Sequence, residues 1–300
     1  MPSKQMQAVL ANLREKQKLG AHASLQEIRA TFAPAGVIHP LPGGVIVTDV
    51  SVDGVAAHWL DAPGVDADRV LLFLHGGGFQ FGSLRSDGEL AARLGLASGM
   101  RVLFLEYRLA PEHPFPAALD DVVTALRWLQ AGQGAQAARI AIAGDSAGGG
   151  LAVSLLVATR DAGRELPVAA VLMSPTVDLT GSGASMTERV DEDPISTPAL
   201  LSQLASDYLA GADPRTPLAS PLFASLSGLP PLLVLVGTSD LLLSDAERLA
   251  AAASAAGVDV ELHVGEGLPH VYPLMLGTPE AASATEQIGA FLKQKTASAP

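Results

Sequence analysis

Ile-Ala-Ile-Ala-Gly-Asp-Ser-Ala-Gly, residues 140–148, is the pattern of a buried strand that ends in a sharp turn at a serine. The apolar run predicts the strand, and the glycines around Ser146 predict a strand-to-helix turn. In such a bend a Cβ at Gly144 or Gly148 would collide with neighbouring chain, so both positions need small residues. The turn would direct the hydroxyl of Ser146 away from the backbone, where a base can reach it. No Gly-Lys-Ser/Thr follows, which disfavours a phosphate-binding loop.

A second glycine-rich loop, His-Gly-Gly-Gly-Phe at residues 75–79, follows the apolar run Val70–Leu74. Backbone N–H groups of residues without side chains can closely approach a negatively charged oxygen, such as that of a tetrahedral intermediate. We therefore expect the amides of Gly76 and Gly77, together with that of Ala147, to form an oxyanion hole. Two such motifs, each after a predicted strand, indicate nucleophilic catalysis more specifically than either motif alone.

Three motifs together resemble the bacterial hormone-sensitive-lipase family of α/β-hydrolase esterases, and the resemblance spans nearly the whole chain. They are His-Gly-Gly-Gly at 75–78, Gly-Asp-Ser-Ala-Gly-Gly at 144–149 and Tyr-Arg-Leu-Ala-Pro-Glu at 107–112. The resemblance implies an α/β-hydrolase fold with a helical cap. It also implies that the proline-rich segment 107–117 braces the oxyanion loop, with Arg108 and Glu112 as buried structural ions.

Predicted strands alternate with predicted helices along most of the chain, after an opening hairpin within residues 44–61. This order predicts an α/β fold with a mostly parallel central sheet and helices on both faces. The expected strands are Val70–Leu74, Val102–Glu106, Arg139–Ala143, Val168–Ser174, Leu232–Gly237 and Val260–Val264. The expected helices are Asp87–Ala97, Ala117–Leu129, Leu151–Asp161, Asp245–Ala256 and Pro279–Lys293.

Two regions interrupt this alternation, and we expect them to form the helical cap. Residues 1–40 carry only helix signals, including a capping box at Ser24 and Glu27. Residues 180–222 contain one clear helix, which Thr197 would cap and Pro198 would begin. The hydrolase core is then expected to comprise residues 41–179 and 223–300. The resemblance implies that the two cap pieces meet over the active site.

The base that activates the serine is expected to be a histidine, since imidazole has a pKa near neutral pH. His263 falls within a predicted strand, whereas His270 lies in the loop 267–272 beyond it, at the edge where active sites of open α/β sheets gather. His270 is therefore the candidate, and the resemblance supports the choice. His75 and His113 belong to structural loops, and nothing in the sequence supports His22 or His58.

The third member of the triad must be an acid that orients the imidazole. Asp240 follows the strand Leu232–Gly237 and shares the predicted sheet edge with Ser146 and His270, so it is the candidate. Asp245 competes with it. A position in the first turn of a helix capped by Ser244 would explain Asp245 without any catalytic role.

Composition limits the partners and cofactors of the chain. The 300 residues carry a formal net charge of −12, which disfavours nucleic acid and anionic membrane surfaces and favours small neutral substrates. There is no cysteine, which excludes disulfides, thiolate catalysis and cysteine-bound metals. The seven histidines show no His-Glu-x-x-His pairing. We therefore expect neither a metal nor a cofactor.

The start of the sequence lacks the apolar core of a signal peptide, and no run approaches the roughly 18 apolar residues of a membrane helix. We therefore expect no membrane span and residence in the cytoplasm. The sequence leaves the oligomeric state open, although the resemblance points to a homodimer that pairs through the edge strand near Val260.

Together these expectations describe a carboxylic ester hydrolase with a serine acyl-enzyme: Ser146 attacks a small-molecule ester, His270 moves the proton and Asp240 orients the ring. The resemblance implies monoesters of short to medium acyl chains. Two alternatives stay open, an amidase or arylformamidase with the same machinery and a non-catalytic small-molecule receptor, although such receptors typically lose the histidine. Candidate pocket residues, for each of which ordinary packing is an equal explanation, are Phe79, Phe81, Leu204 and Tyr208.

Overall fold

The computed structural model describes residues 1–20, 24–31, 39–132 and 136–297, and within them eight strands form one sheet. The strands are β1 (Ile46–Val52), β2 (Val55–Asp61), β3 (Asp66–Leu74), β4 (Met100–Glu106), β5 (Ile140–Asp145), β6 (Ala169–Met173), β7 (Leu232–Ser239) and β8 (Val260–Pro269). The helices are α1 (Lys4–Gly20), α2 (Leu25–Thr31), α3 (Leu84–Ser98), α4 (Ala117–Gly132), α5 (Ala147–Asp161), α6 (Ser185–Glu188), α7 (Pro198–Leu209), α8 (Leu243–Ala255) and α9 (Pro279–Ala297).

The strand order in the sheet is β1-β2-β4-β3-β5-β6-β7-β8. β1 and β2 form the predicted antiparallel hairpin and β2 pairs antiparallel with β4, while every later pairing is parallel. The prediction of a mostly parallel α/β sheet is confirmed. Because the strands from β3 to β8 run in the same direction, their carboxyl ends lie along one edge, and the loops that leave them can meet there.

Helices cover both faces of the sheet, which explains why the central strands are apolar without alternation. On β3, Leu72 and Leu74 belong to a core with α4, α5 and α8. Leu71 and Phe73 point the other way, into a core with α1, α3 and α9. All four of these side chains are fully buried.

The helices outside the alternating pattern reach the carboxyl edge of the sheet from two sides. α1 starts beside α9, where Ser3 Oγ donates to Glu280 at 2.8 Å. Near its other end, Gln17 Nε2 donates to the carbonyl of Ser196 at 3.2 Å, so α1 contacts the segment 180–222. The predicted caps are both present: Glu27 accepts from Ser24 N–H at 2.7 Å, and the Thr197 hydroxyl accepts from the first turn of α7.

Some boundaries differ from the sequence prediction. β8 runs five residues further than expected, to Pro269, so His270 follows the strand directly. α5 begins at Ala147, immediately after the serine, although three glycines occupy its first turn.

Both β1 and β8 are edge strands. His22 lies outside the described residues. In the part of the chain that the structure describes, no helix is long and apolar enough to cross a membrane.

Candidate active site

Ser146 occupies the turn between β5 and α5 in a backbone conformation that few residues adopt. Its φ is +51° and its ψ is −117°, which for a residue with a side chain costs on the order of 1–3 kcal/mol. Tight backbone packing holds the turn in place. A Cβ at Gly144 would overlap the backbone of Gly148, and one at Gly148 would overlap the carbonyls of Leu74 and His75. The predicted steric need for glycine at both positions is confirmed.

Backbone hydrogen bonds fix the same turn from the neighbouring strand. Ser146 N–H donates to the carbonyl of Met173 at 2.8 Å, and the Ser146 carbonyl accepts from Thr176 at 2.9 Å. The same carbonyl accepts the first intrahelical bond of α5, from Gly150 at 3.1 Å. Ala147 is the first residue of α5, so its N–H has no carbonyl within the helix to donate to and is available for another acceptor.

His270 and Asp240 lie at the ends of neighbouring parallel strands, β8 and β7. Nδ1 of His270 is 3.1 Å from each carboxylate oxygen of Asp240, which is fully buried. Asp240 Oδ1 also accepts from Leu242 N–H at 2.8 Å. The residue after the histidine, Val271, donates its N–H to Ser174 Oγ at 2.9 Å, which ties the loop to the end of β6. The geometry orients the imidazole with Nδ1 toward the carboxylate.

The electrostatics of His270 favour its protonated form. Burial is the largest single influence and lowers the pKa of His270, but the charge and hydrogen bond of Asp240, with the charge of Asp193, outweigh it. The pKa therefore lies above the ordinary value of 6.5. An imidazole next to a carboxylate in this way gains a proton more readily than a free one, as a general base must.

Ser146 and His270 line the same cavity, whose volume is about 560 Å³. Most of its wall is apolar, and the wall includes residues of α1, α2 and α7. Of the predicted pocket residues, Phe79, Phe81 and Leu204 line it. The prediction that Tyr208 lines the pocket is wrong. Its ring stacks behind that of Phe79, with centroids 3.8 Å apart, and is buried away from the cavity.

The glycine loop borders the cavity beside the serine. Gly77 and Gly78 line the cavity beside Ser146, and both have positive φ. Gly76 packs against the carboxyl group of Asp145, and a Cβ at Gly76 would overlap that carboxyl. The amides of Gly76, Gly77 and Ala147 stay the predicted oxyanion donors.

His75 has a structural position at the end of β3. Its ring stacks on Tyr107 with centroids 4.2 Å apart, and Nδ1 donates to the carbonyl of Gly76 at 2.7 Å. Burial lowers the pKa of His75 to about 4, so the ring is neutral at pH 7. The hydroxyl of Tyr107 donates to the His75 carbonyl at 2.6 Å. The segment 107–117 thus contacts the glycine loop directly, as predicted.

The ion pairs of this brace differ from the prediction in their exposure. Glu112, 56% exposed, forms a two-pronged pair with Arg29 of α2 at 2.6 and 2.7 Å. Arg29 also donates to the carbonyls of Gln80 and Ala110, at 2.7 and 2.8 Å. Arg108 pairs with Asp121 at 2.7 Å and is half-exposed. Both predicted ions are paired, but neither is buried, because the brace lies at the surface.

Asp245 lies in the first turn of α8, as predicted, and is buried. The predicted cap residue Ser244 is wrong, because the cap position is Leu242, whose side chain has no polar atom. Asp245 Oδ2 accepts from the amides of Val177 and Asp178 at 2.9 and 3.0 Å. Burial raises the pKa of Asp245 to about 7. The side chain therefore holds the loop after β6, while His270 contacts Asp240.

Two further buried carboxyls, Asp87 of α3 and Asp145 of β5, line the cavity. Each has one oxygen that accepts no hydrogen bond from the described residues. Burial raises the pKa of Asp87 to about 7 and that of Asp145 well above its ordinary value, to which the charge of Asp87 contributes. The pair therefore retains a proton where isolated aspartates would have lost theirs. Sequence analysis gave neither residue a role.

Three other histidines weighed in the sequence analysis lie elsewhere. His58 on β2 contacts Asp49 at 2.8 Å, and His263 on β8 lies 4.0 Å from Glu261 in a partly exposed position. His113 is exposed. Their places agree with the sequence analysis, which favoured His270 over all of them.

Comparisons with known proteins find the same fold. A family model for the alpha/beta hydrolase fold matches residues 71–274. The acetyl-hydrolase of Streptomyces hygroscopicus is 45% identical over 260 residues, which cover 85% of this chain and 84% of that protein. A solved esterase from the bacterial hormone-sensitive lipase (HSL) family is 42% identical, with a TM-score of 0.94 and 99% of each chain covered. The structure of EstE5 soaked by p-nitrophenyl butyrate is 39% identical, with a TM-score of 0.93, and covers 99% of this chain and 100% of that one.

The fold and the cavity thus define an alpha/beta hydrolase. Within that class, the chain belongs to the bacterial hormone-sensitive-lipase family of esterases. It is an enzyme with esterase or lipase activity, as the resemblance of its motifs implied.

Proposed function

We propose that this enzyme hydrolyses carboxylic monoesters of short to medium acyl chains through a Ser146 acyl-enzyme. The observation that carries the proposal is that Ser146 and His270 line one apolar cavity, with Asp240 3.1 Å from the far side of the imidazole. A strained, outward-facing serine, a base and an orienting acid are the parts that this chemistry requires.

In the proposed first step, Ser146 Oγ attacks the ester carbonyl carbon while Nε2 of His270 removes the hydroxyl proton. The carbonyl oxygen becomes negatively charged, and the amides of Gly76, Gly77 and Ala147 donate to it, with Gly78 beside them in the cavity wall. Collapse of this intermediate breaks the bond to the alcohol, which leaves with the proton from His270. A water molecule, deprotonated by the same imidazole, then attacks the acyl-enzyme and releases the acid. Asp240 stabilises the imidazolium in both halves.

The size and lining of the cavity support short to medium acyl chains. A volume of about 560 Å³ with a mainly apolar wall suits a small ester rather than a triglyceride with three long chains. We also propose that residues 1–40 and 180–222 act together as the cap of this cavity, since Leu13 and Ile28 from the first segment and Leu204 from the second line it. The related EstE5 was soaked by p-nitrophenyl butyrate, an ester of this kind.

A panel of p-nitrophenyl esters with acyl chains from acetyl to palmitoyl tests the substrate class. We expect kcat/KM to be highest for a chain of about eight carbons or fewer, as the cavity volume allows. A maximum at palmitoyl would contradict the proposal. Matched aryl formamides, run beside the esters, distinguish an amidase: faster turnover of the formamides would replace the ester assignment.

Covalent labelling tests the nucleophile independently of turnover. An aryl phosphonate should modify Ser146 stoichiometrically, and peptide mass spectrometry should find the adduct in the peptide that contains residues 144–150. Failure of the phosphonate to modify Ser146, together with retained binding of esters, would indicate a receptor rather than an enzyme.

The pH dependence tests the base. Imidazolium cannot accept the serine proton, so kcat/KM should fall as the pH drops through the pKa of His270, which lies above 6.5. We expect a single acid limb that titrates one group. A rate independent of pH between roughly 5 and 8, the range in which histidine titrates, would exclude His270 as the base.

A further inference from the structure

Asp193 is a second buried carboxylate near the proposed acid and base. It comes from the segment 180–222, and only 2% of it is exposed. Its Oδ2 accepts from Leu241 N–H at 2.9 Å, and Leu241 directly follows Asp240. Its Oδ1 accepts from the amides of Ile195 and Ser196 at 2.8 and 2.9 Å. One side chain therefore ties the loop of the triad acid to a stretch of the cap.

The stretch that Asp193 holds is part of the cavity wall. Ile195 and Ser196 line the cavity, as does Gln17 of α1. Gln17 Nε2 donates to the carbonyls of Asp193 and Ser196, at 3.3 and 3.2 Å. Asp193 thus connects all three: its carboxylate holds the cavity wall and the loop that carries Asp240, and its backbone carbonyl accepts from α1.

The charge of Asp193 acts on the same imidazole as that of Asp240. Burial is the main cause that raises the pKa of Asp193 to about 6, and the charge of Asp240 raises it further. His270 lowers it in turn, and Asp193 contributes to the raised pKa of His270. Above pH 6, two negative charges therefore favour the imidazolium that forms during attack.

We propose that Asp193 is a positioning residue of the ester hydrolysis: it holds the Asp240 loop in place through Leu241 and adds a second negative charge that stabilises the imidazolium of His270. The inference rests on the proposed function, because it gives Asp193 a role only if His270 is the base. In this proposal the segment 180–222 not only encloses the substrate but also helps to align the triad.

The Asp193 variants leave the other titratable groups around the imidazole unchanged. Asp240 faces His270 from the β7–α8 loop. The other titratable side chains that line the cavity, each from a different element, are Lys16 of α1, Asp87 of α3, Asp145 of β5, Asp178 after β6 and Asp245 of α8.

The test is the pH profile of kcat/KM for Asp193→Asn on p-nitrophenyl butyrate. Removing the charge should move the acid limb to lower pH by about half a unit or more, since a nearby opposite charge no longer favours the imidazolium. The Asn amide N–H₂ cannot accept from Leu241, so kcat should also fall roughly tenfold, as expected when a buried hydrogen bond to a charged group is lost. An acid limb and a kcat that both match the wild type would overturn the proposal.

Two further variants separate the charge from the hydrogen bonds. Asp193→Glu keeps the charge at a changed length, so its acid limb should return toward the wild type while kcat stays reduced. Asp193→Ser removes the charge, but its hydroxyl can still accept from the Ile195 and Ser196 amides, so it keeps the proposal testable if the Asn variant does not fold. If the acid limb of the Ser variant matches that of the wild type, the charge plays no part and the proposal fails.

Asp245→Asn is the matched control, because Asp245 is also buried and also accepts two backbone amides. Its acid limb should coincide with the wild type; an equal shift would show that any buried aspartate has this effect and would overturn the proposal. Ser146→Ala separates the two levels of inference. If Ser146→Ala still turns over ester, the proposed function fails. If it is inactive and Asp193→Asn behaves as wild type, only the role of Asp193 fails.

Discussion

The turn at Ser146 and the cap wall over the cavity are held together by different kinds of contact. At the turn, backbone packs on backbone, so closely that a single Cβ at Gly148 would overlap two carbonyls. At the wall, side chains from distant segments make the contacts: Arg29 of α2 donates to the carbonyl of Gln80, directly after the glycine loop, and Gln17 joins α1 to the segment 180–222. We infer that almost any substitution at the turn lowers activity strongly, whereas single substitutions in the wall have small effects.

Ser146→Ala should have the largest effect of any single change at the turn. It removes the proposed nucleophile and leaves the backbone contacts intact, so kcat/KM on p-nitrophenyl butyrate should fall by about 10⁵-fold or more. Thermal unfolding should be almost unchanged, which is the control for folding. Activity within a hundredfold of the wild type would show that the chemistry does not depend on this turn.

Asp240→Asn and Asp245→Asn form a matched pair next to the turn. We expect Asp240→Asn to lower kcat by roughly 10⁴-fold, because the imidazole loses its orienting acid. Asp245→Asn should change kcat only a few-fold, since its carboxyl holds backbone amides. The reverse order in the kcat values would transfer the role of triad acid to Asp245.

Asp245→Asn should instead change how stability depends on pH. Burial raises the pKa of Asp245 to about 7 from an ordinary 3.8, so the wild type loses stability as the pH rises through this range. The uncharged amide should not lose this contribution. Relative to the wild type, the variant should gain on the order of a few kcal/mol in free energy of unfolding between pH 4 and 8, measured with urea.

Gly148→Ala tests the packing of the turn without touching a reacting group. The added methyl would overlap the Leu74 and His75 carbonyls, so the end of β3 or the turn must move. We expect a loss of about 1–3 kcal/mol in stability, and about a hundredfold in kcat if the serine shifts by about 1 Å. Wild-type kinetics in this variant would contradict the view that backbone packing places Ser146.

Arg29→Lys should have the smallest effect and should concern the wall. Lysine keeps the charge but cannot form the two-pronged pair with Glu112 and the bonds to two carbonyls together. Because the pair is partly exposed, we expect a stability change below about 1 kcal/mol. KM should rise severalfold with kcat within twofold, measured on p-nitrophenyl butyrate. A large decrease in kcat would show that Arg29 affects the catalytic turn rather than only the cavity wall.

Local sequence patterns identified the elements that place the site. Apolar runs located the central strands, and Ser146, Asp240 and His270 each follow one of them. Parallel strands bring their carboxyl ends to one edge, so these three residues were expected to meet, and they lie around or next to one cavity. The steric need for glycine at residues 144 and 148 was also evident from the motif.

Contacts between distant segments could not be predicted in this way. Nothing near Asp193 in the sequence indicates that it binds the loop after Asp240, 48 residues away. The pairing of Arg29 with Glu112 likewise joins residues 83 apart. The motif does not distinguish Gly76 from Gly77, although only Gly77 lines the cavity. It also does not show that the ring of Phe79 separates Tyr208 from the cavity.

The sequence by itself therefore determined the α/β architecture and the residue types at the end of each strand, because hydrophobic periodicity and glycine sterics act over a few neighbouring residues. Only the tertiary structure decided which glycines of the loop line the cavity, which aromatic rings face it and which carboxylates surround the imidazole. Those outcomes depend on the direction in which side chains and N–H groups point once separate segments pack, and no local pattern encodes that direction.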